Sequence, residues 1–338
     1  MARMMQKCVS KQAARMWRLK IMAMAWAAIM LLSAQAGAQE MFPSRPVQFM
    51  VPWTAGGNTD TVARIVAKGM TEQLKESLVV VNKPGANGMI GTEYVARSKP
   101  DGYTLLQGTA EPLAINPHIY DKVRYDALKD FVAVGMIGSF PFVLVVSPKL
   151  PVATLADFVD YARKRPGQLT FSSWGVGSTS QIAFEQFKQV TGLDMLHIAY
   201  QGAAPAITAV MAGHVDALMV PLTVAMPQVQ SGNVKLLGIT SAQREKFALD
   251  IPTMTEQGYP VVISGWHVIV VPQGTPANVV GKLNAALNSA LQNKEVRAVL
   301  IAQGLDPANT TPAEAMQWIR AEYERWGGIA QAAHITAN

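Results

Sequence analysis

Along this chain, short apolar runs alternate with longer stretches whose apolar positions recur every three to four residues, a pattern of strands interleaved with amphipathic helices. Residues 47–51, interrupted by Gln48, read as a strand, and 52–58 as a Gly-containing loop. Residues 60–75 then place Val62, Ile65, Val66, Gly69, Met70 and Leu74 on one helical face. Strands follow at 78–81 and 103–107, separated by a turn region at 84–91 and a short helix at 92–98. The apolar run 131–147 is interrupted by Gly135, Gly138, Ser139 and Pro141, so it reads as two strands and as the first passage between two lobes. A second lobe is expected from helices at 152–165, 178–190 and 205–212 with strands at 169–172, 195–199, 215–220 and 234–240. The run 261–271, broken at Ser264-Gly265, carries the chain back, and helices at 276–292, 294–303 and 312–331 complete the first lobe. The predicted fold class is α/β with largely parallel sheets. Its organisation is lobe 1 from 42–140 and 265–338, with lobe 2 from 141–264 inserted. Two crossings imply a hinge over a cleft that closes on a ligand.

The first 38 residues change the reading of charge. Arg3, Lys7, Lys11, Arg15, Arg18 and Lys20 precede an apolar run over 21–32, which ends at Ala36-Gly37-Ala38, the small-x-small pattern of a secretory signal. Cleavage is expected near Gln39, with the product soluble in the periplasm. That segment holds six of the 29 basic residues and none of the 23 acidic ones, so the remainder is balanced at 23 of each. The sequence pI of 9.3 therefore gives no support for binding nucleic acid or an anionic membrane. Cys8 is the single cysteine and lies before the apolar run, which argues against disulfides, thiolate metal sites and a lipid anchor.

Two strand-to-helix turns carry the candidate chemistry. In Trp53-Thr54-Ala55-Gly56-Gly57-Asn58-Thr59-Asp60, paired glycines let the backbone approach a ligand, and the N–H groups opening the next helix suit a carboxylate. Equally, the glycines could serve only a tight turn, with Asn58, Thr59 and Asp60 satisfying the helix start. The second turn, Ser173-Trp174-Gly175-Val176-Gly177-Ser178-Thr179-Ser180-Gln181, combines a capping-box pattern at Ser178 and Gln181 with further hydroxyls. In an open α/β sheet such turns lie beyond the C-terminal ends of the strands, so a small anion held between two helix starts is the expected arrangement.

Other chemistries fit poorly. The Gly175-Val176-Gly177 pair lacks the third glycine of a dinucleotide loop, Ser180 standing in its place. No Gly-x-Ser-x-Gly pentapeptide is present. His118, His197, His214, His267 and His334 show no metal-ligand spacing. A periplasmic hydrolase would need Ser173 or Ser180 as nucleophile and His197 as base. Neither an enzyme nor a cofactor is expected.

Several segments in series resemble the Bug-type solute receptors of tripartite tricarboxylate transporters. They include Phe42-Pro43-Ser44-Arg45-Pro46, Gly56-Gly57-Asn58-Thr59-Asp60, Asn82-Lys83-Pro84-Gly85-Ala86 and Pro100-Asp101-Gly102-Tyr103-Thr104-Leu105. Ala114-Ile115-Asn116-Pro117, Tyr200-Gln201-Gly202-Ala203-Ala204-Pro205-Ala206, Gly213-His214-Val215-Asp216 and Gly274-Thr275-Pro276 continue the series through residues 42–335. The resemblance implies a type II periplasmic binding-protein fold, two lobes joined by a two-crossing hinge. It also implies delivery of a captured small carboxylate to transporter subunits in the cytoplasmic membrane; the protein is expected to be a monomer, and the acid to be dicarboxylic or, from the tryptophans, aromatic. A receptor presenting its closed form to a membrane sensor is the alternative.

By the same resemblance, backbone N–H groups and ordered waters at residues 54–59 grip the ligand carboxylate. Gly177, Ser178, Thr179, Ser180 and Gln181 supply partners from the other lobe, and Thr109, Ala203 and Ala204 match further pocket positions. This chain departs from the usual pattern at Thr54-Ala55, where two prolines are common, and at Gln181-Ile182, where a histidine commonly follows. Glu111 sits near the third pocket loop, where an anion would disfavour a second ligand carboxylate unless the ligand brings an amine or hydroxyl. Trp53, Trp174 and Trp266 flank these loops and could stack on a ring. Core or hinge packing is the favoured reading, because tryptophan is generally well buried.

Overall fold

The structure, a computed structural model, describes residues 42–337. The expected export signal over 1–38 lies outside the described residues. The strands are β1 (Val47–Val51), β2 (Leu78–Asn82), β3 (Thr104–Gly108), β4 (Phe131–Val146), β5 (Thr170–Ser173), β6 (Leu196–Ala199), β7 (Ala217–Pro221), β8 (Lys235–Ile239), β9 (Ser264–Pro272) and β10 (Asp306–Pro307). They join in the order β2-β1-β3-β9-β4-β7-β5-β6, with β8 and β10 also paired to β4. Each outer part is parallel: β1 pairs β2 and β3, and β5 pairs β6 and β7. The centre is antiparallel, because β3, β9, β4 and β7 alternate in direction. The sheet is thus mixed, which the expectation of largely parallel sheets did not include.

Helices cover the sheet where the apolar periodicity placed most of them. α1 (Asn58–Leu74) buries Val62, Val66, Met70 and Leu74, and α2 (Met89–Ala96) follows a short 3₁₀ turn. α3 (Asn116–Ile119) extends a π-helical turn over Glu111–Ile115. α4 (Leu155–Arg163) starts with a capping box between Thr154 and Asp157. α5 (Thr179–Thr191), α6 (Ala203–Ala212) and α7 (Leu222–Gln230) surround β5 to β7, and α8 (Ala277–Gln292), α9 (Lys294–Ala302) and α10 (Pro312–Ala332) close the chain. α7 has no counterpart in the sequence reading. Its interior Pro227 lacks the N–H of a regular helix and reads as a breaker.

The segment expected to be two strands is one. Over 131–141, β4 pairs with β9; over 142–146 it pairs with β7 and β8. Gly135 and Gly138 sit at register shifts that the ladder absorbs without ending. Pro141 falls at the changeover, where a missing N–H does least harm. Beyond it, Phe142, Leu144 and Val146 point into one buried cluster while Val143 and Val145 point into a second. That two-residue period covers both faces of the strand, each fully buried large side chain contributing roughly 1.5–3 kcal/mol.

Thr240 ties both passages together. Its buried Oγ1 accepts from Phe142 N at 3.0 Å and donates to Ile263 O at 2.6 Å. Its own N–H donates to Phe142 O at 2.9 Å. The return passage at 261–263 is therefore not part of the strand predicted over 261–271, since β9 begins at Ser264.

Candidate functional site

At the C-terminal ends of β1, β3, β5 and β7 lies a cavity of about 370 Å³. Its wall includes Trp53, Thr54, Gly57, Asn58 and Thr59 from the first turn, and Thr109, Ala110 and Glu111 from the segment after β3. Trp174, Thr179, Gly202, Ala203, Pro221 and Val224 contribute from the β5–β7 side, and Phe140, Gly265, Trp266 and His267 from the two central strands. A larger open groove of about 750 Å³ lies at the opposite, N-terminal ends of β1 and β3. There Arg45 pairs with Asp101 and Arg97 with Glu93, while Lys99 also lines the groove.

The first turn is built around Asp60. This buried carboxylate accepts from Gly56 N at 2.9 Å, from Arg64 Nε and Nη2 at 2.9 Å each, and from Asn82 Nδ2 at 2.9 Å. Asn82 Nδ2 also donates to Trp53 O at 3.1 Å, fixing the other end of the loop. The Arg64 guanidinium, with the Gly56 and Asn82 bonds, outweighs burial and holds Asp60 at about 2. Asp60 thus shapes the loop from behind, and Gly56 takes the positive φ of +82° that the turn needs.

A carboxyl group whose folded value lies below its unfolded one stabilises fully above the ordinary value of 3.8, and loses that stabilisation as pH falls through about 2. Because Arg64 is half exposed, Asp60→Asn is expected to lower unfolding stability by on the order of 1–2 kcal/mol at neutral pH. In urea titrations the gap to the parent should close progressively below about pH 4. A gap independent of pH would remove the carboxylate from this role.

Three helix starts converge on the cavity, and they differ. α1 begins at Gly57 with no side-chain cap, so its first N–H groups are left for an external acceptor. α6 begins at Gly202, φ +115°, also without a side-chain cap. α5 is largely provided for within the protein. Ser178 Oγ accepts from Gln181 N, Gln181 Oε1 accepts from Gly177 N at 2.8 Å, and Glu111 Oε1 accepts from Thr179 N at 3.3 Å and Thr179 Oγ1 at 2.8 Å. The expected pair of open helix starts is therefore revised: α1 and α6 are open, whereas α5 is filled by Glu111.

The second-turn residues are accordingly committed elsewhere. Ser180 Oγ donates to Met219 O at 2.6 Å, and Ser178 Oγ donates to Gly175 O at 2.6 Å. A Cβ on Gly177 would meet Ile119 Cδ1 at 2.1 Å. Of that turn, only Trp174 and Thr179 reach the cavity wall. Ala55, Gly56 and Ala204 are exposed but are not in the wall, and Ala203 is in it. Thr109 accepts from Trp53 Nε1 at 3.3 Å, which leaves its hydroxyl proton for the cavity.

Ala110, Phe140, Gly202, Pro221, Val224, Gly265 and His267 are wall residues that the sequence reading does not include. The signal at Gly202 was obscured because Pro205 reads as an opening helical residue, whereas the helix starts two residues earlier. The three tryptophans divide between the two readings. Trp53 and Trp174 are half-buried in the wall, while Trp266, also at the wall, is otherwise packed in the core and donates Nε1 to the buried Glu322 at 3.0 Å.

His267 is buried beside Phe140, and Asn58 Oδ1 accepts from its Nε2 at 3.3 Å. Burial pushes it down to about 3, so it is neutral. No lysine or arginine lines the cavity, which makes Glu111 its single charged side chain.

Ser173 and His197, the hydrolase candidates, do meet, with Oγ and Nε2 2.7 Å apart. The hydroxyl also donates to Gly175 O at 2.9 Å, Ser173 is fully buried, and neither residue lines the cavity. Burial, with nearby Lys188, lowers His197 to about 4, and among the described residues no carboxylate bonds it. The pair braces the turn.

Comparison with known proteins matches residues 62–335 to the model of the tripartite tricarboxylate transporter family receptor, TctC. Protein BugT of Bordetella pertussis is 36% identical over 292 residues, covering 86% of this chain and 90% of BugT. Among solved structures, R. palustris Rpa4515 with adipate is 33% identical with a TM-score of 0.79, covering 87% of this chain and 99% of that one. MatC from Rhodopseudomonas palustris with bound malate is 30% identical with a TM-score of 0.75, covering 85% and 99%. The mixed sheet with two parallel wings is the fold of these binding proteins. The chain belongs to the tripartite tricarboxylate transporter receptor family, the Bug-type periplasmic solute-binding receptors, and it is not an enzyme.

Proposed function

We propose that this protein captures a small carboxylate in the periplasm and passes it to the membrane subunits of a tripartite tricarboxylate-type transporter. The observation that carries this reading is the cavity itself, where the uncapped starts of α1 and α6 open from opposite parts of the sheet onto one space. Helix N-termini offer N–H donors and the positive end of a dipole, so a carboxylate is held without a cationic side chain. The lobes divide at 140/141 and 264/265, and they close about the passages that Thr240 bonds together. Residues 1–38 direct export, and the mature receptor acts as a monomer. Adipate in Rpa4515 and malate in MatC support the ligand class.

Isothermal calorimetry against a panel of aliphatic, hydroxy, amino and aromatic acids tests the proposal. At least one acid should bind with a Kd of about 10 μM or tighter, equivalent to roughly −7 kcal/mol. A panel without a binder would refute carboxylate capture.

A further inference from the structure

We infer that Glu111 makes the cavity selective for acids with one carboxylate and, at the far end, a hydrogen-bond donor, an ammonium above all. This rests on the carboxylate-capture reading and concerns the rest of the ligand. Glu111 opens the π-helical turn after β3, and its Oε1 bonds both Thr179 N and Thr179 Oγ1, 68 residues away in sequence. The protein's own carboxylate thus occupies the helix start that would otherwise take a second acid group. Among the described residues no group bonds Oε2, and Glu111 is part of the cavity wall.

No cation offsets that charge. Arg64, the cation of the first turn, is held bidentate on Asp60 behind the loop, and the wall contains neither lysine nor arginine. A dicarboxylate would therefore bring its second charge into a confined space beside a like charge, where repulsion is far less screened than in water. An ammonium would instead complete the hydrogen bonding of Glu111 with a charge-assisted bond. Between the two ends, Trp53, Phe140, Trp174 and Val224 provide an apolar wall for a short carbon chain.

Calorimetry with length-matched pairs tests this: γ-aminobutyrate against succinate, and ε-aminocaproate against adipate. The parent protein should bind the amino-ended member of at least one pair about tenfold or more tightly. In Glu111→Gln, whose amide oxygen can still accept from Thr179, that preference should fall by about tenfold or invert, with a thermal midpoint close to the parent's. Equal or tighter binding of the dicarboxylates by the parent overturns the inference, as does an unchanged ratio in the variant. Should the variant not fold, the parent's ratio alone decides. A dicarboxylate preference removes only the role of Glu111, whereas binding of no acid removes carboxylate capture as well.

Discussion

Gly57→Leu is expected to lower affinity for every acid the protein binds by about 100-fold or more, roughly 2.7 kcal/mol, while leaving the fold intact. Gly57 has φ −77° and ψ 172°, extended backbone that any residue adopts, so its role does not depend on conformational freedom. A Cβ there would find only Thr54 O within 4 Å, at 3.7 Å, an ordinary contact, so a side chain can be started at this position without a clash. It does meet the ligand's space, because Gly57 lies in the cavity wall at the open start of α1. A leucine would cover the N–H groups that a carboxylate needs and leave the loop scaffold at Asp60 in place. Calorimetry and thermal unfolding on the same sample separate the two effects. Unchanged affinity would show that α1 does not hold the carboxylate.

Gly138→Ala is expected to do the opposite, costing stability on the order of 3 kcal/mol through overpacking. An added Cβ would lie 2.3 Å from Asp306 O, a backbone atom, and 3.0 Å from Leu305 Cγ. Gly138 pairs with Pro307 in β10, and Ala308 N donates to Ile137 O at 3.1 Å, so the clash pries this strap from β4. Gly281→Ala is the internal control. It lies inside α8 with nothing within 4 Å of an added Cβ, so it should be neutral or stabilising by up to about 1 kcal/mol. Chemical unfolding of the two variants should place their midpoints on opposite sides of, or at least clearly apart about, the parent. Coincident midpoints would contradict the close approach of β10 to β4.

The same glycine shows where sequence reasoning reaches its limit. An apolar run announces a strand whatever its partners, so β1, β3, β5 and β7 were legible, as was the buried face of α1. Gly135, Gly138 and Pro141 carry two meanings, however, a strand's end or a strand's bulge and changeover. Only the partners β9, β10 and β7 decide between them. Pro227 hides α7 for a similar reason.

At the site, the first turn and its glycines were legible because the chemistry is local: a strand end, paired glycines and a helix start within nine residues. The state of each helix start was not. Ser178 and Gln181 announced a capping pattern, yet Gln181 reaches Gly177 N instead of the N-cap N–H. Nothing near Thr179 in sequence discloses that Glu111 bonds it. Ser180 looked like a ligand hydroxyl until β7 supplied Met219 O. These are tertiary pairings across 39 and 68 residues, and no local pattern encodes them.

A crystal structure of the protein with its tightest-binding acid measures the essential geometry directly. The acid's carboxylate oxygens should lie at the open start of α1, within about 3.2 Å of backbone N–H groups of residues 57–59 or joined to them by one water, with Glu111 still bonded to Thr179. A carboxylate seated on the α5 start in place of Glu111, or a ligand bound outside this cavity, would contradict it.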